Sequence, residues 1–311
     1  MDAMNKLVFG ALAAGTGATA ATILSSCASS YRTWQQQERD RILCGAMLVE
    51  TSVGPVEYQL IESVGSGSAV IYAHGTPGGF DQGIAFARFL GAERCTFISP
   101  SRPGYLRTPL ASGASPQQQA DLYAALLDVL GIDQASIIGF SGGGPSALQF
   151  ALRHPDRCRS LVMVGGIVQR HCRSELQHAL PLPKRLTAQL IDRLLVSDPF
   201  LYLALPMTSF MPSGAAVAGM LCSGSLYSLR KVGYENDFAQ FAALEDYPLE
   251  KITVPTLVVH GAKDEDVSFE HARLLVRAIP KVTLLAIAGS GHESFYTAAR
   301  TVVPAIRNFL S

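Results

Sequence analysis

The sequence lacks the short motifs by which most cofactors and metal ions are recognised. It contains no G-x-G-x-x-G after a strand-like segment, no P-loop, no H-E-x-x-H and no C-x-x-C. It also lacks an excess of either charge, because Lys and Arg total 25 and Asp and Glu total 25. A nucleic-acid partner normally requires a basic excess or a basic stripe. We therefore expect no cofactor, no metal ion and no nucleic-acid partner, so any chemistry must come from side chains.

The N-terminal segment differs from the rest of the chain in composition. Lys6 precedes an uncharged, largely apolar stretch from Leu7 to Leu24, and Ser25-Ser26-Cys27 follows. A basic residue, an apolar stretch and small residues at a cleavage point make up a secretory signal. Leu24 to Cys27 also resembles a bacterial lipoprotein box, in which Cys27 becomes the lipidated first residue. We predict a signal or lipoprotein-type segment with a polar linker over residues 1–44. The protein is then exported or membrane-anchored through its N-terminus, and the alternatives are an uncleaved anchor or a cytoplasmic extension.

From Gly45 onward, short apolar runs alternate with helical patterns. Such runs are typical of strands that are buried on both faces of a parallel sheet, although the first two form a hairpin. The eight predicted strands are Ala46–Thr51, Val56–Glu62, Ala69–Ala73, Thr96–Ser99, Ser136–Phe140, Leu161–Val164, Thr256–Val259 and Val282–Ala286. Helical periodicity falls at Ile84–Leu90, Ala120–Leu130, Pro145–Arg153, Phe269–Ile279 and Ala298–Phe309. This order predicts an α/β domain over residues 45–311, with a mostly parallel eight-stranded sheet and helices on both faces.

The alternation stops once, between Val164 and Thr256. Helical patterns at Lys184–Val196 and Phe238–Leu244 flank an apolar stretch from Leu201 to Leu221. A structureless loop of this length is unusual in a compact domain. Residues 167–247 are therefore predicted to form a helical cap that is inserted over the sheet edge.

The apolar stretch of this cap bears on the substrate. We interpret it mainly as the core of the cap and in part as the wall of an apolar pocket. On the second interpretation, side chains such as Met207 and Phe210 contact the acyl or alcohol group of the substrate. The cap then excludes water and limits which groups reach the site.

The segment Gly139-Phe140-Ser141-Gly142-Gly143 matches G-x-S-x-G at a strand-to-helix junction. At such a nucleophile elbow the backbone turns sharply, so the serine hydroxyl is exposed and small residues must flank it. A serine hydroxyl is a poor nucleophile at neutral pH and needs a base within hydrogen-bond reach. Ser141 is the predicted nucleophile.

His292 is the predicted base. It lies in the loop Ala288–Glu293, immediately after the last predicted strand. The other strands end at the same sheet edge, where open α/β sheets bind ligands. The remaining histidines are His74, His154, His171, His178, His260 and His271.

Asp264 is the predicted acid that orients this histidine and stabilises its charged form. It lies just beyond the seventh predicted strand and before His292 in the chain. Asp266, two residues later, is the alternative.

Five separated motifs, in this order, resemble the α/β-hydrolase superfamily over residues 45–311. They are His74-Gly75-Thr76-Pro77-Gly78-Gly79, Ser101-Arg102-Pro103-Gly104-Tyr105, the elbow, the Asp264 segment and the His292 segment. The order of nucleophile, acid and histidine is also that of the superfamily. The resemblance implies an oxyanion hole formed by the backbone N–H groups of Thr76 and Gly142. It also implies that His74 and residues 102–105 are structural.

The HG-x-PGG motif is similar to that of proline iminopeptidases and related esterases. Serine at the elbow argues against the dehalogenase and epoxide-hydrolase branches, which carry aspartate there. An iminopeptidase also needs cap acids that bind an amino terminus. The candidates, which solvated helix faces explain equally well, are Glu175, Asp192, Asp198, Glu235 and Asp237.

We therefore predict a serine hydrolase that cleaves a small to medium ester or related acyl bond of a small-molecule substrate. An aminopeptidase, a carbon–carbon bond hydrolase or an acyltransferase on the same residues is the alternative. A non-catalytic ligand-binding homologue is the alternative of another class. The sequence predicts neither the exact substrate nor the oligomeric state.

Overall fold

A twisted sheet of eight strands forms the centre of the computed structural model, which describes residues 17–63, 67–91, 95–211 and 213–311. The strand order is β1-β2-β4-β3-β5-β6-β7-β8, and β2 runs antiparallel to both β1 and β4. The pairs from β4 to β8 are parallel. The strands are β1 Met47–Thr51, β2 Gly54–Ile61, β3 Ala69–Ala73, β4 Thr96–Pro100, β5 Ala135–Phe140, β6 Cys158–Val164, β7 Thr256–Gly261 and β8 Val282–Ile287. The predicted α/β sheet is confirmed.

Helices cover both faces of this sheet and also form the insertion after β6. They are α1 Gly17–Cys44, α2 Phe80–Leu90, α3 Pro116–Val129, α4 Gly144–Arg153, α5 Arg173–His178, α6 Leu182–Leu195, α7 Asp198–Ala204, α8 Gly214–Cys222, α9 Lys231–Ala242, α10 Glu270–Ala278, α11 Ser294–Thr297 and α12 Ala299–Leu310. Two apolar cores result, one on each face of the sheet. One core includes residues of α3, α4 and α10, and the other includes residues of α2 and α12.

The central strand β5 explains why both faces are covered. All of its residues are buried, and successive side chains of a strand point to opposite faces. Ile137 therefore belongs to the core beneath α4, and Ile138 belongs to the core beneath α12. In α12, Val302, Ile306 and Leu310 recur every four residues, so one face of the helix is buried.

The cap comprises α5 to α9, between the end of β6 and the start of β7. Its last helix, α9, reaches back to the sheet domain. The Gly233 N–H donates a hydrogen bond of 2.8 Å to the carbonyl of Gly104, in the loop after β4. This contact holds α9 over the carboxyl ends of the parallel strands.

Helix α1 occupies much of the segment predicted as a polar linker. Tyr31 and Trp34 pack their rings against Tyr202 of α7, and Ile42 is buried in a cluster with Phe80. These contacts give the polar sequence a helical structure that composition alone does not predict. The first 16 residues of the predicted signal lie outside the described residues. Within the described ranges, no helix is both long and apolar enough to cross a membrane.

Candidate active site

Ser141 lies at the turn between β5 and α4, where the backbone reverses within a single short 3₁₀ turn. Its φ of 49° is left-handed, a strained conformation for a residue with a side chain. The turn also requires close backbone approach, because a Cβ on Gly143 would overlap the carbonyl oxygen of Ala73. This is the strained elbow geometry that the G-x-S-x-G motif predicts.

His292 and Asp264 lie in line with this serine. His292 Nε2 is 3.0 Å from Ser141 Oγ, and His292 Nδ1 is 2.8 Å from Asp264 Oδ2. A carboxylate can only accept, so the ring proton lies on Nδ1 and Nε2 carries the lone pair. The structure thus brings together the three residues that the sequence singled out, with the imidazole in the tautomer that can accept the serine proton.

Two opposing effects set the pKa values of this pair. Burial lowers the pKa of His292, but the hydrogen bond to Asp264 and the nearby charges of Asp266 and Asp264 outweigh it, so the pKa is raised. Burial raises the pKa of Asp264, but hydrogen bonds from His260, His292 and the Val267 N–H hold it well below its usual range. Asp264 is therefore ionised across the neutral range, as a group that stabilises an imidazolium must be.

Asp266, the alternative acid, has a different partner. Its Oδ1 lies 3.1 Å from Arg173 Nη1 at the start of α5, and its own N–H donates to Asp264 Oδ1 at 3.0 Å. The Val267 N–H donates to the same oxygen at 2.8 Å. The loop after β7 therefore fixes the Asp264 carboxylate toward His292, whereas Asp266 ties that loop to the cap.

His260, at the end of β7, is a neighbour of the acid that the sequence analysis did not single out. It is buried, and its Nε2 lies 2.8 Å from the Val267 carbonyl and 3.4 Å from Asp264 Oδ2. The carbonyl requires a proton on Nε2, and this proton also points near the carboxylate. A histidine four residues before the acid, on a buried strand, is the sequence signal that was available.

Thr76 and Gly142, the predicted oxyanion residues, are adjacent across the elbow. A Cβ on Gly142 would overlap the Thr76 hydroxyl. The Thr76 side chain is held from the cap, because its hydroxyl donates a hydrogen bond of 2.5 Å to Asp237 of α9. Among the described residues, the Thr76 N–H donates no backbone or side-chain hydrogen bond. It is available to a developing negative charge.

His74 and the loop from Arg102 to Tyr105 fix the backbone next to the predicted oxyanion residues. His74 Nδ1 lies 2.8 Å from the Gly75 carbonyl, and Nε2 accepts the Arg102 N–H at 2.9 Å. Burial, together with the charge of Arg102, places the pKa of His74 well below its ordinary value. His74 is thus a neutral residue whose ring nitrogens are both used by the backbone.

The five candidate acids of the cap each have a partner. Asp237 accepts from Arg102, Thr76 and Tyr105, and its side chain is 2% exposed. Asp198 accepts the Tyr227 N–H. The remaining acids pair with basic side chains: Glu175 with Arg170, Asp192 with Arg173, and Glu235 with Lys231. Four of the five therefore have a basic partner, and Asp198 has the hydrogen bond from the Tyr227 N–H.

Part of the apolar stretch of the cap is packed, as predicted, since Leu201 is buried and Val217 and Met220 pack against a core, but Met207 and Phe210 are not. Met207 is 68% exposed and Phe210 is 90% exposed, so neither lies in the cap core or against Ser141. The backbone explains this, because the stretch is split between α7, a 3₁₀ segment and α8. Phe241 of α9 takes the place beside the elbow, and its Cζ would lie 2.9 Å from a Cβ on Gly142.

Comparisons with known proteins agree with this fold. The sequence profile of the alpha/beta hydrolase fold family matches residues 68–205. A solved alpha/beta hydrolase fold protein from Nakamurella multipartita is 33% identical, with a TM-score of 0.69, and the match covers 85% of this chain and 97% of that one. The chain belongs to the α/β-hydrolase superfamily.

Two curated relatives of this α/β-hydrolase have named activities. The 2-hydroxymuconate semialdehyde hydrolase of Pseudomonas putida is 28% identical over 79% of this chain and 88% of its own length. The pimeloyl-[acyl-carrier protein] methyl ester esterase of Neisseria meningitidis is 28% identical over 67% of this chain and 66% of its own length. The relatives are thus hydrolases and esterases. In the described part of this α/β-hydrolase, no three His, Cys, Asp or Glu side chains converge as a metal site requires.

Proposed function

We propose that this α/β-hydrolase is a serine hydrolase that cleaves a small to medium ester or related acyl bond. The observation that carries the proposal is the hydrogen-bonded line from Ser141 through His292 to Asp264, with spacings of 3.0 and 2.8 Å. In this line His292 Nε2 takes the hydroxyl proton as Ser141 Oγ attacks the substrate carbonyl. The Asp264 carboxylate stabilises the imidazolium that forms, without itself taking the proton.

The rest of the cycle follows from the same geometry. The carbonyl oxygen becomes an oxyanion, and the N–H groups of Thr76 and Gly142 donate to it. The imidazolium then gives its proton to the leaving alcohol, which departs and leaves an acyl-enzyme on Ser141. His292 next removes a proton from water, and the resulting attack releases the acid and regenerates the serine.

The relationship to the Neisseria methyl ester esterase supports an ester as the bond cleaved. The relationship to the Pseudomonas semialdehyde hydrolase supports a second candidate function, since the substrate in that enzyme's name is a semialdehyde and not an ester. Hydrolysis of a carbon–carbon bond by the same three side chains is therefore the alternative. The engaged cap acids weigh against the iminopeptidase-like branch, because a free carboxylate is needed to bind an amino terminus.

Three measurements test the proposal. A fluorophosphonate probe should label Ser141, which a non-catalytic ligand-binding homologue with an unactivated serine would not allow. A panel of p-nitrophenyl esters, aminoacyl anilides and vinylogous diketones should give the highest kcat/KM with the esters. Ser141→Ala should lower turnover by about 10⁶-fold while the fold is unchanged. A variant that kept a tenth of the activity would refute the mechanism.

We further propose that the N-terminus places the enzyme at a membrane. Leu24-Ser25-Ser26-Cys27 at the end of an uncharged stretch supports lipidation of Cys27, whose side chain is exposed. One lipid chain binds a membrane only marginally, so a second attachment would strengthen it. Mass spectrometry of the native protein should find Cys27 as the modified first residue. An unmodified Met1 in a soluble fraction would favour the cytoplasmic alternative.

A further inference from the structure

Large apolar side chains lie on the outer side of the cap. In α6, Leu182, Leu186 and Leu190 recur every four residues, which places them along one face of the helix. Leu186 and Leu190 are each 56% exposed, and Leu203 is 70% exposed. Single exposed apolar residues are ordinary, but contiguous apolar patches mark interaction sites. We use the name cap face for six exposed apolar side chains of α6, α7 and the 3₁₀ segment after α7: Leu182, Leu186, Leu190, Leu203, Met207 and Phe210.

The charged residues of α6 are mostly basic. At about 100° per residue, Arg193 falls between Leu182 and Leu186, Arg185 lies at the edge of this stripe, and Lys184 lies on the opposite side of the helix. The one acid of α6, Asp192, is bound by Arg173. Within the described ranges, the three basic residues have no acidic partner at ion-pair distance. A helix with an apolar stripe and unpaired arginines within and beside it has the features of a helix that lies in a membrane interface. Anionic headgroups attract such basic residues.

Helix α1 connects the apolar N-terminal stretch to the same side of the molecule. Its C-terminal end is fixed in the domain at Ile42, and its middle contacts Tyr202, the neighbour of Leu203, through Tyr31 and Trp34. Cys27, the proposed lipidated residue, therefore lies about 6 Å beyond Tyr31 along α1, at 1.5 Å per residue. The aromatic contact consists of Tyr and Trp side chains, which are enriched at membrane–water interfaces.

We propose that the cap face docks onto an anionic lipid bilayer. Its apolar side chains enter the boundary between headgroups and acyl chains, and Arg185 and Arg193 contact the headgroups. This inference extends the membrane association proposed above, but it does not require lipidation of Cys27. It assigns to the outward Met207 and Phe210 a lipid contact instead of the substrate contact predicted from the sequence.

A tryptophan placed in the cap face tests the proposal in the full-length protein. Trp34 is the one tryptophan of the chain, so Trp34→Phe removes the native tryptophan fluorescence, and each new tryptophan is introduced into this variant. Leu190→Trp reports on the cap face. Val129→Trp is the control, because Val129 is also exposed but ends α3 at the opposite edge of the sheet. Vesicles of phosphatidylcholine and phosphatidylglycerol, with bromine on the acyl chains, should quench the emission at position 190 several-fold and leave that at position 129 unchanged.

Each outcome decides the question. Vesicle binding without quenching at position 190 would mean that the N-terminal segment alone binds the membrane. Absence of vesicle binding would exclude the bilayer as the partner of the cap face. Either result overturns the proposal. A shift of the position-190 emission to shorter wavelength that grows with protein concentration, without vesicles, would assign the cap face to a second copy of the chain. Fluorophosphonate labelling of Ser141 in the same samples reports the proposed catalytic function separately, and both tryptophan variants should keep it.

Discussion

The ion pair between Asp237 and Arg102 allows a quantitative prediction, because it is almost completely buried. The Arg102 side chain is 1% exposed and that of Asp237 is 2% exposed. The guanidinium binds both carboxylate oxygens, at 2.7 and 2.5 Å. Asp237→Asn keeps the shape but removes the counter-charge, so the Arg102 charge stays buried and uncompensated. Loss of one partner of a buried pair lowers the free energy of unfolding by about 3–5 kcal/mol.

Urea unfolding followed by circular dichroism measures this loss, with Asp121→Asn as the matched control. Asp121 pairs with Arg153 at 2.8 Å, but the side chains are 31% and 43% exposed. An exposed pair contributes about 0–1 kcal/mol, because water solvates the Arg153 charge that remains after the change. Asp237→Asn should therefore lower the free energy of unfolding by at least about 2 kcal/mol more than Asp121→Asn. Equal losses in the two variants would refute the role assigned to this pair.

Three further predictions concern the proposed catalytic residues. Asp264→Asn should lower turnover by about 10⁴-fold, because the imidazole then adopts the wrong tautomer. Asp266→Asn should lower turnover much less. The reverse ranking of the two variants would assign the role of the acid to Asp266. Since His292 must be neutral to accept a proton and its pKa is raised, kcat/KM should rise with pH through a value above that of an ordinary histidine. In Asp264→Asn the carboxylate hydrogen bond that raises the His292 pKa is gone, while burial still lowers that pKa. The midpoint of the rise of the residual kcat/KM with pH should therefore shift to a lower pH, and an unchanged midpoint would contradict the assignment.

The sheet and the meeting of the three side chains were accessible from the sequence for one physical reason. Parallel strands that are buried on both faces are continuous apolar runs, and their carboxyl ends share one edge. Ser141 and Asp264 follow strands that are buried throughout, and His292 follows β8, an apolar edge strand that is only partly buried. Their proximity therefore follows from topology even though they are far apart in the chain.

Local signals for helix starts were also present but were not all used. Helix α3 starts at Pro116, earlier than predicted, because of a capping box. The Ser115 hydroxyl accepts the Gln118 N–H, and the Gln118 side chain accepts the Ser115 N–H. Serine three residues before glutamine, with proline at the first helical position, is a sequence-readable start signal.

The cap was the part that the sequence could not position. Its outline as a helical insertion followed from the missing strand pattern, but its orientation depends on contacts between distant residues. Asp237 meets Arg102, which is 135 residues away, and no periodicity predicts such a pairing. The direction in which an apolar residue of a short helix points depends equally on neighbours from elsewhere in the chain. This is why Met207 and Phe210, apolar in sequence, lie outward in the structure.

Phe241 should therefore control acyl-chain selectivity. Its ring lies beside Gly142, next to the serine that carries the acyl group, and the side chain is 2% exposed. Phe241→Leu enlarges this wall at a modest cost in packing, so the optimal acyl chain of p-nitrophenyl esters should lengthen by one or two carbons. Each added buried CH₂ contributes up to about 0.8 kcal/mol, or roughly fourfold in kcat/KM.

Phe210→Leu is the matched control for this prediction, since it makes the same chemical change at a side chain that is 90% exposed. Its chain-length profile should coincide with that of the unmodified enzyme. A shift in Phe210→Leu without one in Phe241→Leu would mean that the stretch from Leu205 to Phe210 folds over Ser141 during turnover. The pocket wall would then be the one predicted from the sequence, and the outward cap face would belong only to the resting enzyme.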